Sequence, residues 1–350
     1  MSSKVISKPI EKLETKTKKK VTLKQLIIFS LPIFLLCIGM NIMYFTPHTT
    51  LSQFFDALIN YDKDDLIHYV VVNVKLPRII GAMTVGAYLA VAGAVMQGIT
   101  RNYLASPDVV GVSDGANLGL SIAMALTGGM TSYANNIVFA MIGATVSTLS
   151  IFYISSRIRG RESGVKLLLA GSALGMLFSG FSTSINIWSG LGQPIQVWNN
   201  SGLLGIKWLG IGILGIGLIG VIIAFLIAGR ITVLGMGDET AISLGQNVKL
   251  TKTLGVISVV LISASTVCTV GNIGFVGLII PNMVKMAVGE DFKKVIPYSA
   301  FFGSILLTFS DMVSRLINYP FETPIGTITS IIGIPIFLYL INGKRTKGAM

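Results

Sequence analysis

Ionisable side chains are scarce in this sequence. Asp, Glu, Lys and Arg make up 12% of its 350 residues, against about 25% in a soluble domain. Cysteine is almost absent, and both copies, Cys37 and Cys268, lie in apolar stretches. That excludes a disulfide framework or a thiolate metal centre. The two histidines, His48 and His68, flank one segment without the spacing of metal ligands, and are read as solvated. No stretch matches GxxxxGK[ST], so the chain has no phosphate cradle with which to hydrolyse ATP. No cluster of nucleophile, base or metal ligands argues for an enzyme, and no metal site or resident cofactor is expected.

What fills the space is apolar. Hydrophobic residues reach 52% and the mean hydropathy is +0.76. Several apolar runs exceed the ~18 residues that suggest a membrane crossing. The expected fold is all-α: a polytopic membrane bundle of about ten transmembrane helices. The net charge of +12 is not a nucleic-acid footprint, because the basic residues cluster beside the spans, where they set orientation.

Residues 1–24 hold eight lysines and read as a basic cytoplasmic tail. The transmembrane region is 25–343, and 344–350 is a second short tail. Expected spans are Leu26–Phe45 (an uncleaved signal anchor), Ile79–Ile99, Gly115–Leu126 capped by Ser113 or Asp114, Asn136–Ser155 and Val165–Ile185. Ile206–Ala228, Leu254–Val270, Gly274–Val288 with Pro281 inside it, Ile296–Ile317 and Gly326–Leu340 complete the set. Residues 46–74 read as an exposed loop with a short amphipathic helix, and 186–202 as a polar, glycine-rich connection. With the N-terminus inside, all but five of the 27 Lys and Arg fall on the inner side; the exceptions are Lys63, Lys75, Arg78, Lys207 and Arg315. That bias predicts both termini in the cytoplasm.

Between the sixth and seventh spans lies a polar island, residues 230–247, which the same bias places in the cytoplasm. Asp238, Glu239 and Thr240 suit a first helical turn, and Gly245 a stop. Gly235 and Gly237 allow tight turns beside Met236. Asp238 and Glu239 offer contacts to basic residues, and Ala241 and Leu244 lie three apart on one face, suited to an apolar groove.

Two further sets stand out. Ser172, Met176, Ser179 and Thr183 recur at spacings of four, three and four on the fifth span. They form one face that either lines a water-filled path or packs as a seam against another helix. Lys75 and Arg78 open the second span from outside, and Arg315 ends the ninth on the same side. They read either as anchors snorkelling to headgroups or as a docking rim for an acidic protein surface. Asp311, four residues before Arg315, pairs with it on one helix face. Acidic residues otherwise fall in tails and loops, which disfavours a transporter driven by an ion gradient.

The motifs converge on a family. KLPRIIGAMTVGAYLAVAGAVMQGITRNYLASPDVVGVSDGANLGL (75–119) resembles the opening signature of the FecCD-type permeases, the membrane subunits of ATP-binding-cassette importers for iron-siderophores, haem and vitamin B12. LGMGDETAISLGQNV (234–248) is similar to that family's coupling segment, and GNIGFVGLIIPNMVKMAVGED (271–291) to its later signature. SDMVSRLI (310–317) and PIGTITSIIGIPIFLYL (324–340) resemble its last two spans. Lys75 departs from the more usual arginine. The resemblance implies a bacterial cytoplasmic-membrane protein that pairs with a second permease, identical or paralogous. It also implies two cytoplasmic ATPase subunits, which use ATP and Mg, docked on Gly235–Gly245, and an external or lipid-anchored substrate-binding protein docked on Lys75, Arg78 and Arg315. A ferric siderophore is the expected cargo, with haem and cobalamin as alternatives and no role for nucleic acid.

Overall fold

The computed structural model describes residues 23–44, 48–107, 111–129, 132–157, 163–319 and 321–348. The first tail as far as residue 22, Arg159 and Arg161 lie outside the described residues. The described chain is an all-α bundle without strands. In order, the helices are α1 (Leu23–Met43), α2 (Leu51–Ile59), α3 (Leu66–Val70), α4 (Leu76–Thr100), α5 (Val112–Leu126), α6 (Tyr133–Arg157) and α7 (Ser163–Ser189). They continue as α8 (Gly192–Asn200), α9 (Trp208–Gly235), α10 (Asp238–Ser243), α11 (Val248–Val270), α12 (Val276–Val288), α13 (Phe292–Leu316) and α14 (Ile325–Gly348).

Each expected span coincides with one of these helices. Among the described residues, five helical runs are long and apolar enough to cross a bilayer alone; α12 and several others are shorter. At 1.5 Å per residue, the thirteen residues of α12 reach about 20 Å.

The core is built on α4 and α11. Within their apolar windows, 78% and 72% of residues are buried, against 33% for α9 and α6. One cluster joins α4 to α9, α11, α12 and α13 through Val91, Val95, Ile231, Val259, Val276 and Leu307. A second packs α5 and α6 against the outer half of α11 through Leu120, Ile137 and Cys268. Glycine sets how closely α4 approaches its neighbours. A Cβ on Gly93 would stand 1.9 Å from the Gly277 carbonyl oxygen, and one on Gly86 would stand 2.3 Å from that of Gly303.

Several sequence expectations change. The second span starts earlier: α3, a π-type turn over Val71–Lys75 and α4 form one helical run from Leu66. The 186–202 connection contains α8, with Pro194 in its first turn where a missing N–H costs nothing. α5 is capped by Gly111 at φ 65°, with Ser113 and Asp114 inside its first turn. Asp114 is thus a second acidic residue in a span. His68 is buried, not solvated: its Nδ1 accepts from the Asp62 N–H at 3.1 Å while Nε2 faces Asp56 at 3.4 Å. α14 continues through 344–348, where a tail was expected.

Candidate functional site

The polar island is shorter than its sequence suggests, because helix invades it from both sides. α9 runs on through Arg230 to Gly235, and α11 begins at Val248, capped by Asn247, whose Oδ1 accepts the Leu250 N–H at 2.9 Å. What remains is the six-residue helix α10 between two glycines. Gly237 at φ 120° and Gly245 at φ 77° occupy backbone conformations that L side chains rarely adopt.

α10 is fastened to the bundle. Asp238 accepts from Arg101 Nη2 through one carboxylate oxygen and from Lys252 Nζ through the other, each at 2.8 Å. Gln246 Nε2 donates to the Arg230 carbonyl and to Thr251 Oγ1, both at 3.0 Å. Half-exposed pairs of this kind stabilise by at most about 1 kcal/mol each, but together they tie α10 to the ends of α4, α9 and α11. Asp238 is therefore spent on its own chain, correcting the expectation that it is offered to a partner.

The apolar pairing also changes. Ala241 is fully buried, while Met236, Ile242 and Leu244 stand 66%, 62% and 65% exposed. Ala241 faces the core because α10 lies flat on α9, so Ile242 joins Met236 and Leu244 on the outward surface. A rigid element at the bundle end bearing three large exposed apolar side chains can seat in a groove of another protein. Gly235 lies in open space at the end of α9, as its place in the turn requires.

At the opposite end, the three outer cations are not a rim. Lys75, Arg78 and Arg315 are 4%, 5% and 8% exposed. Arg78 donates to Asp311 Oδ1 from Nε at 3.0 Å and from Nη2 at 2.8 Å, and its Nη1 and Nη2 reach the two oxygens of Glu322 at 2.8 and 2.7 Å. Arg315 Nη2 donates to Asp311 Oδ2 at 2.8 Å and to Asn41 Oδ1. Lys75 Nζ reaches the Ile42 carbonyl at 2.7 Å and Thr49 Oγ1 at 3.0 Å. The cluster clasps α1, α4, α13 and the turn before α14. The docking-rim expectation is corrected: side chains this buried, and bonded to their own chain, present no open charge to an approaching surface. The earlier start of the helix moved Lys75 and Arg78 inward.

Ser172, Met176, Ser179 and Thr183 share one exposed face of α7, with Met176 75% exposed. Among the described residues no helix covers them, which speaks against a seam within the chain. Thr183 Oγ1 donates back to the Ser179 carbonyl at 2.8 Å, and Ser182 instead meets Ser121 inside the bundle at 2.7 Å.

Sequence reasoning missed Ile242, Arg101 and Lys252 at α10, and Asn41, Thr49 and Glu322 at the cluster. Only Asp311–Arg315 carried a local signal, its i,i+4 spacing.

Residues 33–342 match the model of the FecCD transport family. The iron(3+)-hydroxamate import system permease protein FhuB of Bacillus subtilis is 38% identical over 314 residues, covering 89% of this chain and 82% of FhuB. The iron-uptake system permease protein FeuB of the same organism is 36% identical, covering 87% of this chain and 91% of FeuB. A solved metal-chelate type ABC transporter in an inward-facing conformation superposes with a TM-score of 0.78 at 24% identity, covering 91% of this chain and 99% of that one. That likeness confirms the fold, and with the family match it establishes that this chain belongs to the FecCD transport family.

Proposed function

We propose that the chain is the membrane-spanning permease subunit of an ATP-binding-cassette importer for a ferric siderophore. It works with a second permease, identical or paralogous, two cytoplasmic ATPase subunits and an external substrate-binding protein. The observation that carries this reading is the 38% identity, over 89% of the chain, to a permease named for iron(3+)-hydroxamate import. Relatives named for Fe(3+)-citrate and ferric enterobactin point the same way. A cobalamin import permease of Halobacterium salinarum, 32% identical, favours vitamin B12 as the second reading. The chain itself is not an enzyme and binds no cofactor; ATP and magnesium act at the partner ATPase. The family points to a cytoplasmic membrane, and the placement of lysine and arginine supports both termini inside.

The test is radio-iron uptake by cells that lack other iron importers and express this chain with its ATPase and binding protein. ATPase-dependent accumulation of a ferric hydroxamate is the expected result. Uptake of cyanocobalamin and of no ferric chelate would overturn the reading in favour of the second.

α10 is the ATPase handle in this reading, through Met236, Ile242 and Leu244. Leu244→Arg should release the ATPase on purification and lower uptake at least tenfold, while the yield of folded permease is unchanged. Retention of both ATPase and uptake would remove α10 from this role. Gly237→Arg should do the same with some loss of folded protein, because of its φ.

The exposed face of α7 borders the path or the second permease. Cys37 and Cys268 are fully buried and silent to a water-soluble thiol reagent. Cysteines at 172, 176, 179 and 183 are therefore expected to be labelled in one transport state and protected in another. Protection in every state would assign the face to a subunit interface.

A further inference from the structure

A pocket of about 510 Å³ opens at the bundle end opposite α10, between α8, the 271–275 turn and the start of α14. Its walls meet through glycine. A Cβ on Gly271, which sits at φ 73°, would lie 2.6 Å from the Asn199 carbonyl oxygen; one on Gly326 would lie 3.4 Å from that of Asn272. The three walls are thus held by close backbone approach, and the volume falls within the roughly 300–1,000 Å³ of small-molecule sites.

Its polar side chains are all neutral amides and hydroxyls. Most hydroxyls in the long helices are turned onto carbonyls of their own helix, as at Thr183, Ser265, Thr266 and Thr269. In the pocket, Asn199, Asn200, Asn272 and Thr327 make no side-chain hydrogen bond to any described residue. Asn200, Asn272 and Thr327 are exposed and Asn199 is half-buried. The backbone N–H groups at the two helix starts are already used, Val276 on the Gly274 carbonyl and Thr327 on the Pro324 carbonyl, both at 3.0 Å, so binding falls to the side chains. No lining residue is ionised. Glu322, two residues before Pro324, has its carboxylate held by Arg78 at 2.7 and 2.8 Å.

We infer that this pocket is an entry subsite for an oxygen-rich ferric chelate of no net charge, such as a trihydroxamate, and selects against multiply anionic chelates. This rests on the functional reading above. Neutral amide and hydroxyl groups match the partial charges on hydroxamate and peptide oxygens. A tris-catecholate carrying three full negative charges loses water on entering and finds no cation to replace it. Asn199 and Asn272, on facing walls, are the specificity-determining residues.

The test uses the purified permease–ATPase complex without its binding protein, in equilibrium dialysis against radio-iron ferrichrome, a neutral trihydroxamate, and ferric enterobactin, a trianionic tris-catecholate. Wild type should bind ferrichrome and bind enterobactin at least tenfold more weakly. The Asn199→Ala/Asn272→Ala double variant should weaken ferrichrome binding at least about tenfold, the loss of two neutral hydrogen bonds. Thr327→Val, on an exposed helix start, gives a second readout that leaves the walls intact, with an expected loss of a few-fold. Asn272→Lys should narrow the preference by improving enterobactin binding. Failure of wild type to bind ferrichrome, a preference for enterobactin, or binding unmoved in both the double variant and Thr327→Val would overturn the subsite. If wild-type cells still import a ferric chelate, that failure is the subsite's alone. If they import none, the functional reading falls and takes the subsite with it.

Discussion

Asp311→Ala is expected to lower the unfolding midpoint of the purified permease by more than about 5 °C, from a loss on the order of 3–5 kcal/mol. Asp311 is 1% exposed and holds two guanidinium groups, Arg78 on one oxygen and Arg315 on the other. Arg78 and Arg315 face Asp311 and Glu322, while the Lys75 ammonium is held beside them by the Ile42 carbonyl and Thr49, so the cluster has no negative charge to spare. Removing Asp311 leaves Arg78 its bidentate bond to Glu322 but takes from Arg315 the carboxylate it is bonded to. A buried charge without its counter-charge is far costlier than a buried pair replaced as a whole. Hence the Asp311→Leu/Arg315→Met double variant should recover most of the lost stability, leaving Arg78–Glu322 as a balanced pair. Additive losses in the double variant would mean that the two residues do not act together. A midpoint unmoved by Asp311→Ala would show that the clasp contributes nothing to stability.

The same cluster marks where sequence reading ran out. Arg78 meets Asp311 and Glu322 across 233 and 244 residues of chain, and no local pattern encodes such a pairing. Charge bias places Lys75 and Arg78 on the outer side, but not how far the helix extends before them; the π-type turn at Val71–Lys75 carries it back through them. The long helices were legible because an apolar run in a membrane has few alternatives to helix. Their ends were not. Arg230, Thr232, Lys249 and Lys252 are compatible with helix, so α9 and α11 extend through residues that composition alone assigns to a connection. In α10, six residues are too few for periodicity to separate buried Ala241 from exposed Ile242.

The second large effect is expected at Gly93, where α4 crosses α12. A Cβ there would stand 1.9 Å from the Gly277 carbonyl oxygen and 2.5 and 2.6 Å from its C and Cα. These are backbone atoms, so no side chain can swing aside. Gly93→Ala must push the helices apart by about 1.5 Å to reach the 3.4 Å at which ordinary contact begins. Gly277 is also tight, 2.7 Å from the Leu89 carbonyl oxygen to its own would-be Cβ, so sliding along the crossing brings no relief. One turn further, Gln97 Nε2 donates to the Leu278 carbonyl at 3.2 Å while its Oε1 accepts from Lys285 Nζ at 2.8 Å; separation weakens that bridge as well. Overpacking of this kind costs about 1–3 kcal/mol, and more where nothing can yield. Small residues at helix crossings are what permit close packing within a membrane. Gly180 in α7 is the control: no atom lies within 4 Å of its would-be Cβ, so Gly180→Ala should stabilise by up to about 1 kcal/mol through helix propensity alone. Thermal unfolding in detergent should therefore move the two alanine variants in opposite directions, and Gly93→Val should leave little folded protein to measure. Equal midpoints for Gly93→Ala and Gly180→Ala would mean that α4 and α12 do not meet through their backbones.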